Sequence, residues 1–216
     1  MLLVQTYMSL YFSLHPTHPQ ARLIEQAAEI VRKGGLIALP TDSAYALCGQ
    51  TGDAKLLDRI RRIRGVDERH HFTLLCRDLS EIANYARVDN TQYRLLKAAT
   101  PGSYTFILEG SKELPRRVLH PKRKTIGLRV PDHPVVRALL AELDEPLLSS
   151  TLILPGEESP MTDPEEIRDR LEHQLDLVIE AGHCGAEVTT VINLADGSPE
   201  LVRAGKGDLG LFGFNV

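Results

Sequence analysis

Apolar and polar positions alternate along this chain in two periods, and the switches between them outline a fold. Ala21–Lys33 sets Leu23, Ala27, Ile30 and Val31 on one face, and the Gly34–Gly35 pair closes the helix this predicts. The short apolar run Leu36–Leu39 predicts a strand. Asp53 is placed to cap a helix from Ala54 to Arg64, with Leu56, Ile60 and Ile63 inward and Arg59, Arg61 and Arg62 elsewhere. Phe72–Cys76 reads as a buried strand. Asp78 with Glu81, and Asp163 with Pro164 and Glu166, carry capping signatures for two more helices. Further strands are predicted at Tyr104–Leu108, Thr125–Val130, Pro146–Thr151, Leu175–Ile179, Thr189–Leu194 and Leu201–Arg203. Helices at Thr91–Ala99 and His133–Leu143 separate some of them. At the start, MLLVQTYMSLYFSL is apolar but too short to span a bilayer, and it lacks a basic leader and an A-x-A site. Tyr7–Ser13 there predicts a first strand, with Met8 a candidate start residue. About eight strands with four or five helices predict one α/β (α+β) domain around a twisted, open mixed sheet flanked by helices. The Gly-rich end from Gly205 to Gly213 is expected to pack loosely, giving a domain over 1–207 and a tail over 208–216.

Composition narrows the class. The chain has 216 residues, 25 Lys+Arg against 29 Asp+Glu, and 43% apolar residues, which excludes a disordered tail and a bulk-basic packaging protein. Three scattered cysteines, Cys48, Cys76 and Cys184, offer no disulfide framework and no CxxC metal site. A reducing, cytoplasmic setting is the expectation. The net charge of −4 conceals segregation: Arg59–His71 holds five arginines, Arg116–Lys124 five basic residues and no acid, and Glu157–Glu180 nine acids. Such runs are ordinary solvated faces, or they present a local anion-binding surface.

Standard motifs are missing. Neither GxGxxG nor GxxxxGK[ST] occurs, the adjacent His70–His71 lack a matching ligand pair, and no G-x-S-x-G elbow is found. Polar turns at strand ends stand out instead. LPTDSAYAL (Leu39–Leu47) sets Thr41, Asp42 and Ser43 after an apolar strand, where a plain Asx/ST turn is the simpler reading and a ligand contact the functional one. TPGSYTFIL (Thr100–Leu108) carries Thr105 inside a strand, and PLLSSTL (Pro146–Leu152) runs its hydroxyls up to a strand end. In TIGLRVPDHP (Thr125–Pro134), Arg129 sits in an otherwise apolar strand, which needs either an ion pair with a residue such as Asp132 or Asp42, or a ligand anion. Arg64, Arg129 and Arg203, far apart in sequence, suit convergence as a polyphosphate clamp.

The ordered set LPTDSAYAL, TPGSYTFIL, IGLRVPDHP, PLLSSTL and TTVINL…LVRAG resembles the YrdC/YciO family of L-threonylcarbamoyladenylate synthase relatives, from about Ala21 to Gly207. KGGLIALPTDSAYAL, HFTLLCRDLSE, KRKTIGLRVP and DPEEIRDRLE are similar to its YciO branch. The resemblance implies a YrdC-like fold with a large concave basic cavity. Synthases of this kind condense threonine, bicarbonate and ATP into threonylcarbamoyl-AMP with release of pyrophosphate, toward modification of adenosine in tRNA. Members are also described as binders of double-stranded RNA and tRNA. Carried over, Thr41, Tyr45, Thr105, Thr151 and Thr189 are the expected substrate-side residues, and Arg64, Arg129 and Arg203 the expected nucleotide side. ATP, with Mg2+ as its substrate complex, is the implied cosubstrate.

Two departures qualify this. The synthase K-x-R motif aligns with Arg64–Gly65–Val66, keeping one cation and losing the second, which Arg62 or Arg69 is the nearest candidate to replace. The S-x-N motif aligns with Thr151–Leu152–Ile153, so an amide becomes apolar. Each loss is worth about a few kcal/mol of transition-state stabilisation. Three readings follow. The first is double-stranded RNA or tRNA binding on Arg61, Arg62, Arg116, Arg117, Lys122, Arg123 and Lys124, with nucleotide in the cavity. The second is an active synthase. The third is a partner subunit docking through the acidic helix at Pro164–Glu172.

Overall fold

The computed structural model describes residues 8–214. In chain order its elements begin β1 (Leu10–Ser13), α1 (Ala21–Arg32), β2 (Ile37–Leu39), β3 (Ala46–Gln50), α2 (Ala54–Arg64), β4 (Thr73–Leu75), α3 (Leu79–Tyr85) and α4 (Asn90–Ala99). They continue β5 (Tyr104–Glu109), β6 (Thr125–Arg129), α5 (Pro134–Leu143), β7 (Leu147–Thr151), α6 (Pro164–Leu171), β8 (Leu177–Glu180), β9 (Thr190–Asn193) and β10 (Glu200–Arg203). Short 3-10 turns lie at Arg116–Val118 and Gly210–Phe212. The predicted mixed sheet is present, with ten strands among the described residues in the order β1-β8-β2-β3-β7-β4-β6-β5-β9-β10. Four of its pairings, β1 with β8, β2 with β8, β4 with β6 and β5 with β9, are parallel, and the other five are antiparallel. The part of the first-strand expectation at Tyr7 lies outside the described residues.

Four of the helices, α2, α3, α4 and α6, start on an aspartate cap. Asp53 accepts from the Lys55 and Leu56 amides and starts α2, and Asp163 does the same for Glu165 and Glu166 ahead of α6. Asp78 caps α3, but the Glu81 carboxylate bonds the Arg77 amide rather than that of Asp78, so the expected reciprocal box is absent. A complete box occurs instead at Asp89 and Gln92, ahead of α4. β3 is an addition to the predicted elements.

Strand residues alternate between two differently clothed faces. One face packs Leu36, Ala38, Leu47, Leu74, Phe106, Leu128 and Leu148 against α2, α3, α4 and α6. The other packs Ile37, Leu39, Ala46, Cys48, Leu75 and Leu147 against α1 and α5. Those two helices cover the β1 side of that face as far as Leu147 on β7 and Leu75 on β4. Beyond these residues, toward β10, the same face carries no helix of the second cluster, and a cleft lies there.

The C-terminal stretch is not loose as expected. A Cβ on Gly207 would sit 2.4 Å from the Tyr104 ring, and one on Gly205 2.4 Å from the Val188 carbonyl oxygen, so glycine is what lets this chain lie flat. Thr190 Oγ1 donates to the Gly207 carbonyl at 2.8 Å, Tyr104 Oη to that of Asp208 at 3.0 Å, and Phe212 packs on Tyr104 and Phe106. Among the described residues no helix is long and apolar enough to cross a membrane.

Candidate functional site

The floor of the cleft follows from strand register. Thr73 on β4 pairs with Gly127 on β6, Gly127 with Ile107 on β5, and Thr105 with Val191 on β9. Paired residues point to one side of a sheet, so these side chains form one surface. Gly127 lies at its lowest point: a Cβ there would come within 2.7 Å of Thr73 Oγ1 and 3.1 Å of Thr105 Cγ2. Ser150 and Thr151 wall one side, Val202 and Arg203 the other, and Arg64, His70 and His71 close the end. The cleft holds about 270 Å³, at the lower edge of the roughly 300–1,000 Å³ usual for small-ligand sites.

Its polar groups are held in place. Thr105 Oγ1 and Thr189 Oγ1 lie 2.9 Å apart, and the Arg203 guanidinium donates to the Thr189 carbonyl at 2.9 and 3.2 Å and to its hydroxyl at 3.2 Å. Arg64, the last residue of α2, donates from Nη1 to the Ile153 carbonyl at 2.7 Å, while its Nε is buried without a partner. Burial, and then the charge of Arg203, lower the affinity of Arg64 for its proton. No carboxylate lies within ion-pair distance of either guanidinium among the described residues. His70 Nε2 is 2.9 Å from Ser150 Oγ, and the ring stands edge-on to Phe72. Burial first, then Arg64, His71 and Arg61, push the His70 pKa down to about 4, so the ring is neutral at pH 7.

The rim beside His71 is cationic. His71 stacks on His120 with centroids 4.5 Å apart, and both rings are disfavoured as cations by desolvation and then by charged neighbours. For His120 those neighbours are Arg123, Lys122, Arg69 and Lys124.

The sequence-predicted residues divide accordingly. Arg64, Thr105, Thr151, Thr189 and Arg203 line the cleft together. Arg129 does not. It shares the face of Gly127 but is buried, and its guanidinium pairs with the Asp42 carboxylate, the ion-pair reading of this residue. Of the three arginines expected to converge, two, Arg64 and Arg203, line the cleft. Thr41 is 3% exposed and spends its hydroxyl locally, donating to the Ala44 carbonyl at 2.7 Å and accepting from the Ser43 and Ala44 amides, which is an ST turn. Tyr45 is fully buried, donates to the Ile179 carbonyl at 3.1 Å and packs in the helix-covered core, away from the cleft. Its bulk on an inward-facing position of β2–β3 outweighed its motif position. Around Asp42 the chain is stapled together: Ser103 Oγ donates to its carboxylate at 3.0 Å, Lys206 Nζ to its carbonyl, and Cys184 Sγ to the carbonyl of Thr41.

Among the predicted basic contacts, Arg61 lies over Phe72 and pairs with Asp58, whereas Arg62, Arg116, Arg117, Lys122, Arg123 and Lys124 are exposed. Neither Arg62 nor Arg69, the candidates for the cation absent at Val66, lines the cleft. His70, His71 and Ser150 were missed as site residues. Two histidines directly ahead of a buried strand, and a second serine beside Thr151, were the available signals.

Comparison with known proteins agrees with this geometry. The Sua5/YciO/YrdC family model, described as "Telomere recombination", matches residues 29–205. The chain is 57% identical to the YciO protein of Escherichia coli (strain K12) over 202 residues, 94% of this chain and 98% of that one. The crystal structure of E. coli YciO superposes with a TM-score of 0.92 at 56% identity, covering 95% of this chain and all 100% of that one. A human threonylcarbamoyl-AMP synthase is 30% identical over 162 residues, 75% of this chain and 57% of that protein. P. abyssi Sua5, solved as a complex with L-threonine, shares the fold with a TM-score of 0.83 at 22% identity, over 91% of this chain and 58% of that one. The chain belongs to the Sua5/YciO/YrdC family, in its YciO-type branch, and is related to the threonylcarbamoyl-AMP synthases.

Proposed function

We propose that the cleft binds a nucleoside phosphate of the threonylcarbamoyl-AMP class, with the phosphate between Arg64 and Arg203 and the acyl group over the threonine floor. One observation carries this reading: two guanidinium groups share a small cleft, both disfavoured as cations by burial and Arg64 also by the charge of Arg203, with no carboxylate partner among the described residues. A phosphate relieves that repulsion and supplies the acceptor Arg64 Nε lacks. The relatives named threonylcarbamoyl-AMP synthases, and the Sua5 complex with L-threonine, support the ligand class. Full synthase turnover is disfavoured, because Val66 and Ile153 replace a cation and an amide and no neighbour restores them. The test is pyrophosphate release from Mg-ATP with and without threonine and bicarbonate, beside calorimetric titration of AMP and ATP. Nucleotide binding with little threonine-dependent pyrophosphate is expected, and no nucleotide binding overturns the reading.

A second reading, RNA of the tRNA or double-stranded class on the rim, is favoured by the cation cluster around His71 and His120, which adjoins the cleft. With aromatic residues at 5% and no Trp, contact through the backbone rather than base stacking is expected. Affinity then falls with salt at a log–log slope of about −0.7 to −0.9 per phosphate contacted. A flat salt profile contradicts it.

A further inference from the structure

Five residues with hydroxyls line the cleft, Thr73, Thr105, Ser150, Thr151 and Thr189. Thr105 and Thr189 engage each other. Among the five, Ser150 alone has an imidazole nitrogen at hydrogen-bond distance, His70 Nε2 at 2.9 Å. Ser150 is the penultimate residue of β7 and 4% exposed; its pairing with Leu47 on β3 turns its side chain to the side of Leu47 and Phe72, so it meets His70 at the strand end that closes the cleft and not on the floor. His70 is held from the other side by its amide bond to the Asp67 carbonyl and by the edge-on contact with Phe72. Arg64 reaches the same strand end through the Ile153 carbonyl, and its charge is the largest charged influence on the His70 ring. A hydroxyl, a neutral base and an anion clamp therefore meet at one end of one cleft, the constellation required for acyl transfer.

We propose that Ser150 and His70 form a nucleophile–base pair that hydrolyses a carboxylic–phosphoric mixed anhydride whose phosphate is held by Arg64 and Arg203. The proposal rests on the nucleoside-phosphate reading above and adds a covalent step to it. His70 Nε2 accepts the Ser150 hydroxyl proton as Oγ attacks the carbonyl carbon. The bond from that carbon to the bridging oxygen breaks, and the nucleoside monophosphate leaves with the bond's electron pair, its charge stabilised by the two guanidinium groups. In the second half, the imidazolium having lost its proton to solvent, His70 takes a proton from water, hydroxide attacks the Ser150 ester, and Oγ leaves with the proton from His70. The sum is acyl phosphate anhydride plus water giving carboxylic acid plus nucleoside monophosphate.

The free ring is a weak base because burial and Arg64 disfavour its cation. A phosphate on Arg64 offsets the second influence, so the base strengthens only when substrate is bound. That coupling confines the reaction to phosphorylated acyl donors and spares simple esters.

Acetyl-AMP is the probe. Incubated with the full chain and quenched, the protein is expected to be one acetyl group heavier, with peptide mass analysis placing that group on Ser150, while AMP accumulates above the spontaneous rate. Ser150→Ala gives no adduct and AMP release at the spontaneous rate. His70→Gln slows release by about 10²- to 10⁴-fold. The turnover number falls with acid through a higher midpoint than kcat/KM does, a difference that a merely structural His70–Ser150 bond does not produce. Wild-type protein that binds AMP in calorimetry yet is not acylated, or a Ser150→Ala variant that releases AMP like the wild type, overturns the nucleophile–base pair alone. Wild-type protein that binds no AMP overturns the nucleoside-phosphate reading with it.

Discussion

One face of one sheet is used in two ways. Under α1 and α5 it carries Ile37, Leu39, Ala46, Cys48 and Leu147, all buried, and its side chains interdigitate with the helices. Farther along, toward β10, it carries Thr73, Thr105, Ile107, Gly127 and Val191, and a cleft takes the place of a helix. The arginines follow the same division. Arg129, buried, is neutralised by Asp42, whereas Arg64 and Arg203 over the cleft have no carboxylate partner among the described residues. A guanidinium that holds the fold together must be paired, because an uncompensated buried charge is costly. A guanidinium that awaits an anion must not be.

The sharpest way to break this contrast is to remove one partner of the paired arginine. Asp42→Ala leaves Arg129 charged and buried and releases Ser103 and Lys206 as well, with an expected loss of about 3–5 kcal/mol in chemical denaturation. A loss below 1 kcal/mol would place Arg129 with the functional arginines. Truncations on the two halves of the face form the next pair. Leu39→Ala, fully buried beneath α1 and α5, is expected to cost about 2–5 kcal/mol. Val191→Ala, half-exposed on the cleft floor, should cost about 1 kcal/mol or less by the same assay.

Acid separates the halves by protonation. The His70 pKa is depressed to about 4 in the folded chain, below the unfolded value near 6.5. The unfolded chain therefore binds more protons in that window, and stability rises with pH across it. It is fully present above about 6.5 and is lost as pH falls toward 4, by about 3 kcal/mol from this residue. His71 and His133, also depressed by burial, act in the same direction. Denaturation midpoints between pH 4 and 7 should flatten measurably in His70→Gln. An unchanged slope contradicts burial of a neutral ring at the end of the cleft.

What the sequence disclosed follows the same physics. α1 and α2 were readable because a helix that buries one stripe writes its period into the chain, and Asp53 marks an end. β3 was not, since Ala46–Gln50 has small residues, a glycine and no β-branched side chain, and acquires strand identity only by lying between β2 and β7. The Gly205–Gly207 segment looked like a loose tail because glycine marks both flexibility and close approach, and only the Tyr104 ring above Gly207 distinguishes them. At the site, Arg64 and Arg203 were legible as cations in suitable blocks. Whether an arginine such as Arg129 is paired depends on a carboxylate 87 residues away, which no local pattern reports. The meeting of His70 with Ser150 was unreadable for that reason too, the two being 80 residues apart.

A modest structural effect and a large effect on ligand binding are expected to part at Arg203. Arg203 lies on the exposed edge strand β10 but donates to buried Thr189, so Arg203→Ala should cost about 1 kcal/mol of stability. A calorimetric titration of AMP into wild-type protein and Arg203→Ala at constant salt tests the phosphate site most directly. Loss of one charged hydrogen-bonding partner predicts affinity weaker by about tenfold to a hundredfold in the variant. Equal affinity for the two proteins, both folded, would contradict the assignment of the uncovered half of the sheet as the phosphate site.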